Sequence, residues 1–439
     1  MSPAYKNINN ANTAVLFLIT LILSFNTGAQ ENTGKESHDN IIDAISAGKL
    51  DLNMRLRYEN VDDNAATEEA DALTLRTALG YRTGSFHDLS ARVLVQDVRE
   101  IGVDNYNDGT GRSARRARYA VVADPSETDL AEAYLAYGGL NNTSIKLGRQ
   151  FITYRPGPLH RFIGTVGWRQ NWQNHDAVTL VNKSIKDLTF SYAYSWNVNR
   201  IFTDEAVISA RANFESDSHF INFQYTGFEL GTLEAYAYLL DFDNAAANST
   251  ATYGVRFSGN HQMSGTWKLI YAAEYATQDD YANNPASVGE DYFEGEFGVN
   301  FKLNETISSV TLKFDYELFT GNGSNGFITP LATAHAYQGW ADRFLVTPAD
   351  GIEDWYFTAG IAALGFNLAV IYHDLSSDNL SYDYGTEIDL QATRALNKHL
   401  TVGLKYANYD GDTNASNVAR NGALAKDVTK FWAWIQFAY

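Results

Sequence analysis

The chain has no cysteine among its 439 residues, which excludes disulfide scaffolds, iron–sulfur clusters and thiolate metal sites. A chain free of stray thiols also suits export to an oxidising compartment. Proline is scarce, at 7 residues, and no Pro-rich hinge or linker interrupts the sequence. With no change of periodicity after residue 48, the chain reads as one domain despite its length. Basic charge is in deficit: 33 Lys and Arg stand against 52 Asp and Glu, a net charge of −19. That balance argues against nucleic acid as a partner. Long apolar runs are missing too. The run from Thr13 to Phe25 is 13 residues, short of the roughly 20 that a membrane-spanning helix needs. A mean hydropathy of −0.29 excludes a helical membrane protein but not a membrane barrel, half of whose strand residues are polar.

What the sequence does have is alternation. In Lys49–Glu59, Leu50, Leu52, Met54, Leu56 and Tyr58 alternate with Asp51, Asn53, Arg55, Arg57 and Glu59. One face is apolar and the other polar or charged, as expected for a strand with lipid on one side and a wet lumen on the other. Leu188/Phe190/Tyr192/Tyr194, Val310/Leu312/Phe314/Tyr316/Leu318 and Phe366/Leu368/Val370/Tyr372 repeat the pattern. The 27 Tyr, 24 Phe and 8 Trp suit aromatic girdles at membrane interfaces, and the 33 Gly suit tight turns.

Alternation predicts eighteen strands: 49–59, 71–83, 87–98, 128–138, 143–151, 175–183, 187–197, 217–226, 231–242, 250–259, 265–277, 290–302, 307–320, 353–363, 365–375, 382–394, 398–409 and 428–439. The number is even, as single-chain bacterial barrels require. Short connectors (Gly84-Ser85-Phe86, Gly139 to Asn142, Leu303 to Thr306, Leu364) alternate with long ones (99–127, 152–174, 198–216, 321–352, 410–427). The expected fold is therefore all-β: a transmembrane antiparallel barrel with short periplasmic turns, long extracellular loops and both termini periplasmic, in a bacterial outer membrane.

Residues 1–29 have the layout of a signal peptide, with Lys6, the apolar run and Thr27-Gly28-Ala29 before a cleavage point after Ala29. Residues 30–48 would form a short periplasmic segment, and 49–439 the barrel. The final strand puts Phe431, Ala433, Ile435, Phe437 and Tyr439 on one face. It resembles the C-terminal signature by which the barrel-assembly machinery recognises its clients.

Read by parity, Arg55, Arg57, Arg76, Arg82 and Arg92 point inward from the first three strands, joined later by Lys146, Arg256, Lys268, Lys313 and Lys405. Glu132, Glu274, Glu294, Glu296, Asp315, Glu317, Glu387 and Asp389 point inward as well. Arginine forks suit carboxylates, and rings of such groups set anion preference in pores. The same charges could equally brace a wet wall by pairing with one another. Arg112, Arg115, Arg116 and Arg118 fall within seven residues of the first long loop, which either folds inward or forms a patch for anionic lipopolysaccharide. In Asp104-Asn-Tyr-Asn-Asp108-Gly109, Asp104 and Asp108 offer oxygen ligands for Ca²⁺, or an ordinary Asx turn.

The segment 148–178 carries Gly148-Arg149-Gln150, Arg161-Phe162-Ile163-Gly164, Trp168-Arg169-Gln170-Asn171-Trp172-Gln173 and Asp176-Ala177-Val178. This segment resembles the alginate-export family of outer-membrane porins. The resemblance implies an eighteen-stranded barrel in which Arg149, Arg155, Arg161, Arg169 and Gln170 lie at or near a constriction and contact an anionic polyuronate. No Gly-x-Ser-x-Gly, His-Glu-x-x-His or nucleotide loop is present, so neither enzyme chemistry nor a cofactor is expected. The expected function is passive conduction of anionic, alginate-like oligo- or polysaccharide through an outer membrane. The alternatives are a general or differently selective porin, or an outer-membrane enzyme or adhesin on a plugged barrel.

Overall fold

The computed structural model describes residues 37–157, 160–415 and 422–439. The signal-peptide reading of residues 1–29, with its cleavage point, lies outside them. All eighteen expected strands are present: β1 (Lys49–Asp63), β2 (Ala70–Arg82), β3 (Leu89–Asn105), β4 (Thr128–Leu140), β5 (Thr143–Gln150), β6 (Asn174–Asn182), β7 (Leu188–Asn199), β8 (Asn213–Phe228), β9 (Gly231–Leu239), β10 (Thr250–Gln262), β11 (Trp267–Asp280), β12 (Gly289–Lys302), β13 (Ile307–Phe319), β14 (Ile352–Ala363), β15 (Phe366–Ser376), β16 (Asp383–Ala395), β17 (Leu400–Gly411) and β18 (Val428–Ala438). Each pairs antiparallel with its chain neighbours. The sheet closes where β18 pairs with β1, Ile435 opposite Leu56 and Phe437 opposite Met54. Closure leaves no edge with unpaired backbone groups in lipid.

Burial alternates along the strands, and it is the polar set that is hidden. Asn53, Arg55, Arg57 and Glu59 are at most 4% exposed, whereas Leu50 on the other face is 64% exposed. Phe297, Phe314, Leu404 and Val370 are exposed on the outer wall in the same way. An apolar exterior of this kind is stable only against hydrocarbon.

The hydrophobic core sits inside the barrel, where it is built by loops. Ile152, Phe162, Ile163 and Trp168 from the loop after β5 pack with Phe327, Leu331, Trp340, Ala341 and Phe344 from the loop after β13. Wall rings of Tyr236, Tyr238, Tyr292, Trp432 and Trp434 complete this cluster. Several strands run past the expected ends, β3 to Asn105 and β8 from Asn213. About 9–11 residues cross a bilayer, so these 16–17-residue strands extend the ladder into solvent, where amphipathic alternation is no longer required. At the opposite end the turns are tight. In the β14–β15 hairpin, Leu364 and Gly365 have φ of +53° and +78°, the double left-handed geometry of a two-residue turn.

Candidate functional site

The loop after β5 lies across the inner face of β1 and β2, and the arginines of that face hold it. Arg55 Nε donates to Gln170 Oε1 at 2.9 Å, and Arg55 Nη2 donates to the carbonyls of Trp168 and Arg169 at 2.8 and 2.7 Å. Arg57 donates to the Trp168 carbonyl and to Asp124, and pairs with Glu59 at 3.1 Å. Gln170 donates through Nε2 to Thr74 Oγ1 at 2.9 Å and through its backbone N–H to Asp124 Oδ1 at 2.7 Å. Arg76 reaches Asn53 Oδ1 at 2.7 Å and lies 4.2 Å over the Trp172 ring. The motif Trp168-Arg169-Gln170-Asn171-Trp172 is thus the part of the loop that the basic wall grips.

A second loop, 320–351, meets the first and is held by the wall at β16. The Trp340 and Ala341 N–H groups donate to Asp389 Oδ2 and Glu387 Oε1 at 3.1 and 2.6 Å. Gly339 beside them has φ +83°, and a Cβ there would sit 2.2 Å from Glu387 Oε2, so only glycine fits this approach. The two loops are joined by Gly164 N–H to Leu331 O at 2.9 Å and Thr333 N–H to His160 O at 3.0 Å. Trp168 stacks on His335 with centroids 5.0 Å apart. Basic groups thus hold the carbonyls of one loop, and acids hold the amides of the other. Together the loops form a plug.

An ion cluster closes the seam between them. Arg169 pairs with Glu59 at 3.1 Å and reaches Asp342 at 3.5 Å, and Asp342 also accepts from Lys430 at 2.7 Å and from His335 Nδ1 at 2.6 Å. Lys405 Nζ donates to His335 Nε2 at 2.7 Å and rests 3.6 Å over Trp340. Burial pushes the His335 pKa well down, which fits a neutral ring that donates from Nδ1 and accepts at Nε2. Burial works against ionisation of Asp124, yet Arg57, Arg169 and the Gln170 N–H hold its pKa below the ordinary aspartate value. His160 is pushed down to about 4 by burial.

The remaining candidate residues fall into three places. Arg155 and Arg161 lie inside and reach the acidic wall. Arg155 donates to Glu234 at 2.8 Å and to Glu274 at 2.6 Å, and Arg161 pairs with Glu317 at 2.7 Å while lying 4.2 Å over Phe319 and Tyr337. Arg92 faces inward near the short-turn end, between Asp51 and Glu132. Arg149 alternates with the buried Gln150 and so stands on the other face of β5, held bidentately by Asp176 at 2.8 and 3.2 Å. Arg115 and Arg116 belong to the loop after β3. Arg115 has a largely exposed side chain 3.7 Å from Asp104, and Arg116 pairs with Glu100 at 2.6 Å and Asp108 at 3.2 Å. The Glu100 hydrogen bond raises the Arg116 pKa. Asp108 Oδ1 also accepts from Thr110 N–H at 2.9 Å, so the Asp104–Asp108 segment makes an Asx turn served by arginine. No three-acid or histidine group able to hold a metal is found among the described residues.

Sequence reasoning did not find Asp124, Asp342 or the second plug loop. Asp124 and Asp342 are acids in long loops, indistinguishable by type from the other acids there. The second loop did carry a signal. Phe327, Leu331, Trp340 and Phe344 are too apolar for a segment that stays in water.

The resulting cross-section is polarised. Arg55, Arg57 and Arg76 stand on β1 and β2 beside a single acid, Glu59, and Glu274, Glu294, Asp315, Glu317, Asp354, Glu387 and Asp389 outnumber Lys268 and Lys313 on β11–β16, all at most 8% exposed. Most of the buried arginines are neutralised at contact distance, with two exceptions. Arg55 spends its donors on neutral acceptors, and Arg76 has Nε and Nη1 without a hydrogen-bond partner.

Comparison with known proteins agrees with this architecture. The family model described as alginate export matches residues 48–325. No curated protein matches in sequence. Among solved structures, Acinetobacter baumannii OccAB2 superposes with a TM-score of 0.69 at 15% identity, over 90% of this chain and 99% of that one. Acinetobacter baumannii OccAB1 gives 0.68 at 11% identity, over 92% and 99%. Pseudomonas aeruginosa OpdK, solved with vanillate, gives 0.66 at 11%, over 90% and 99%. At such identities the likeness speaks for the fold, and the family match covers more than half of the chain. The protein belongs to the alginate export family and is built as an outer-membrane porin, a channel architecture rather than an enzyme's.

Proposed function

We propose that this barrel passively conducts anionic solutes bearing carboxylates, of the alginate-like oligo- or polysaccharide class, through a polarised lumen whose plug loops yield to the substrate. The observation that carries the reading is the pair of buried arginines without a carboxylate. Arg55 bonds to carbonyls and an amide, and Arg76 to one amide oxygen and a ring face. A uronate carboxylate is a stronger acceptor for a guanidinium than any of these, and its two oxygens match the fork. An arriving anion can therefore exchange with the Trp168 and Arg169 carbonyls and loosen the loop as it binds. The acids on the opposite wall keep binding weak enough for release.

In this reading residues 1–29 direct export and are removed, both termini face the periplasm, and 49–439 is the membrane domain. The outward aromatic face of β18 serves the barrel-assembly machinery, and the outer wall meets lipid and lipopolysaccharide. A second reading, a channel for small carboxylates, draws support from the closeness of the plug. Arg55, Arg57, Arg161 and Arg169 are all at most 6% exposed, which suits a narrow path better than a polymer. OpdK, of the same fold, was solved with the small aromatic carboxylate vanillate.

Planar-bilayer recording tests both. Across a salt gradient the reversal potential should indicate anion preference, and oligouronates should block the current where neutral oligosaccharides of equal length do not. Block by monomeric carboxylates alone selects the second reading. Cation preference, or block by neutral sugars alone, refutes both.

A further inference from the structure

The short-turn end of the barrel carries a structured segment ahead of β1 that the channel does not use. Residues Ile41–Ser46 form a one-and-a-half-turn helix, α1, capped by Asn40, whose Oδ1 accepts from Ile42 N–H at 2.9 Å. Before it, Ser37 and His38 pair in parallel with Ser85 and Phe86 of the β2–β3 turn. The helix is fastened on two sides. The Ala44 carbonyl accepts from Gly84 N–H at 2.8 Å, and the Ile45 carbonyl accepts from the Tyr81 hydroxyl.

Tyr81 locates the helix. On β2 the inward residues are Ala72, Thr74, Arg76, Ala78 and Gly80, so Tyr81 belongs to the outward face with Leu75 and Leu79. Its cross-strand partner is Leu50, also outward and 64% exposed. Its ring packs over Gly48, where a Cβ would meet the hydroxyl oxygen at 2.1 Å. The C-terminal end of α1 is therefore tied to the outer, lipid-facing wall at its rim.

On that helix Ala44 is 2% exposed, while Ile41, Ile42 and Ile45 are 56%, 66% and 49% exposed. At about 100° per residue the three isoleucines fall within a ~100° arc. Ser46 borders the arc next to Ile42, Asp43 lies beyond it, and Ala44 points back to the barrel. The three isoleucines belong to no buried apolar cluster among the described residues, and the helix end that carries Ile45 is tied to Tyr81, whose outward neighbours are Leu50 and Leu79.

We propose that α1 is an interfacial anchor: its Ile41/Ile42/Ile45 face inserts into the bilayer leaflet at the short-turn end of the barrel, with Ser46 at the edge of that face and Asp43 left in water. Continuity with the lipid-facing wall names the occupant as lipid. That leaflet is the periplasmic one if the proposed orientation holds, and insertion itself does not depend on it. The anchor fixes the height of the barrel in the membrane and ties the entry of the chain to the rim.

The natural chain has no cysteine, so single spin labels report unambiguously. Ile42→Cys, Asp43→Cys and Ile45→Cys, with Leu79→Cys as a mark on the outer wall, are labelled with a nitroxide in the full chain reconstituted in phospholipid vesicles. Collision with oxygen and with a water-soluble nickel chelate is read by power saturation. Labels at 42 and 45 should favour oxygen over nickel several-fold, as the label at 79 does, and the label at 43 should favour nickel. Nickel access at 42 and 45 with a lipid-like 79 overturns the anchor alone. Protection of 42 and 45 from both reagents also overturns it, since protein then covers the face. A water-like 79 would sink the membrane-barrel reading itself.

Discussion

Replacing Arg55 with Ala tests the plug most cleanly. The side chain is 1% exposed, and it makes three well-formed hydrogen bonds, to Gln170 Oε1, the Trp168 carbonyl and the Arg169 carbonyl, at 2.7–2.9 Å. Bonds that involve a charged group contribute about 1.5–3 kcal/mol each, so the lower value gives about 4–5 kcal/mol for the set. Water entering the vacated space resolvates the carbonyls, which brings the net loss to about 3 kcal/mol. At 1.4 kcal/mol per tenfold, the docked loop should lose about a hundredfold in its equilibrium over the undocked one. Single-channel recording should then show R55A with long, frequent openings where the native channel is mostly closed. R55K keeps the charge but not the planar fork, so it should fall between the two. Retention of the folded, heat-modifiable band on gels separates loop release from barrel failure. Native-like gating in R55A with an intact barrel would refute the claim that this arginine holds the loop.

Other perturbations probe the remaining parts. Gly339→Ala puts a Cβ against the Glu387 carboxylate at a positive φ, so either that carboxylate or the 338–341 backbone must shift, which strains the Ala341–Glu387 hydrogen bond; openings should increase, and unchanged gating would show that this wall does not secure the second loop. Phe297→Arg places a cation on an exposed outer position near the middle of β12, which should cost about 2–4 kcal/mol in denaturant titrations from lipid vesicles. No loss there would mean that this face does not meet hydrocarbon. Asp124 has a depressed pKa in the folded state, so its contribution is present above its unfolded pKa and is lost as pH falls through the lower, folded value. The plug should stay latched through mild acidity and loosen only below the ordinary aspartate range, measured as conductance against pH; release near neutrality would assign the latch to another group.

The wall was legible in the sequence because a membrane strand is a local object. Asn53, Arg55, Arg57 and Glu59 face inward because period-2 alternation permits nothing else once Leu50 and Leu56 face lipid. Loop lengths supplied the hairpin order for the same reason. What Arg55 touches was not legible, because Trp168 and Arg169 lie more than a hundred residues away and offer backbone carbonyls, which every residue has. Arg149 illustrates the limit. It sits in the segment that resembles the family, yet parity beside the buried Gln150 turns it to the opposite face of β5. The bracing role weighed for the inward charges describes Arg57, Arg92, Arg256 and Lys313, each of which pairs with a carboxylate, and the loop arginines Arg155, Arg161 and Arg169 pair in the same way. Arg55 and Arg76 are the two buried arginines that pairing does not account for.

The central claim is that those two guanidiniums await a carboxylate. Oligouronate block of single-channel current, titrated on the native channel and on a variant with Arg76→Ala, tests it directly. The account predicts concentration-dependent block of the native channel by oligouronate but not by a neutral oligosaccharide of equal length, with at least tenfold weaker block after Arg76→Ala. Equal block of both channels, or equal block by the neutral sugar, would contradict it.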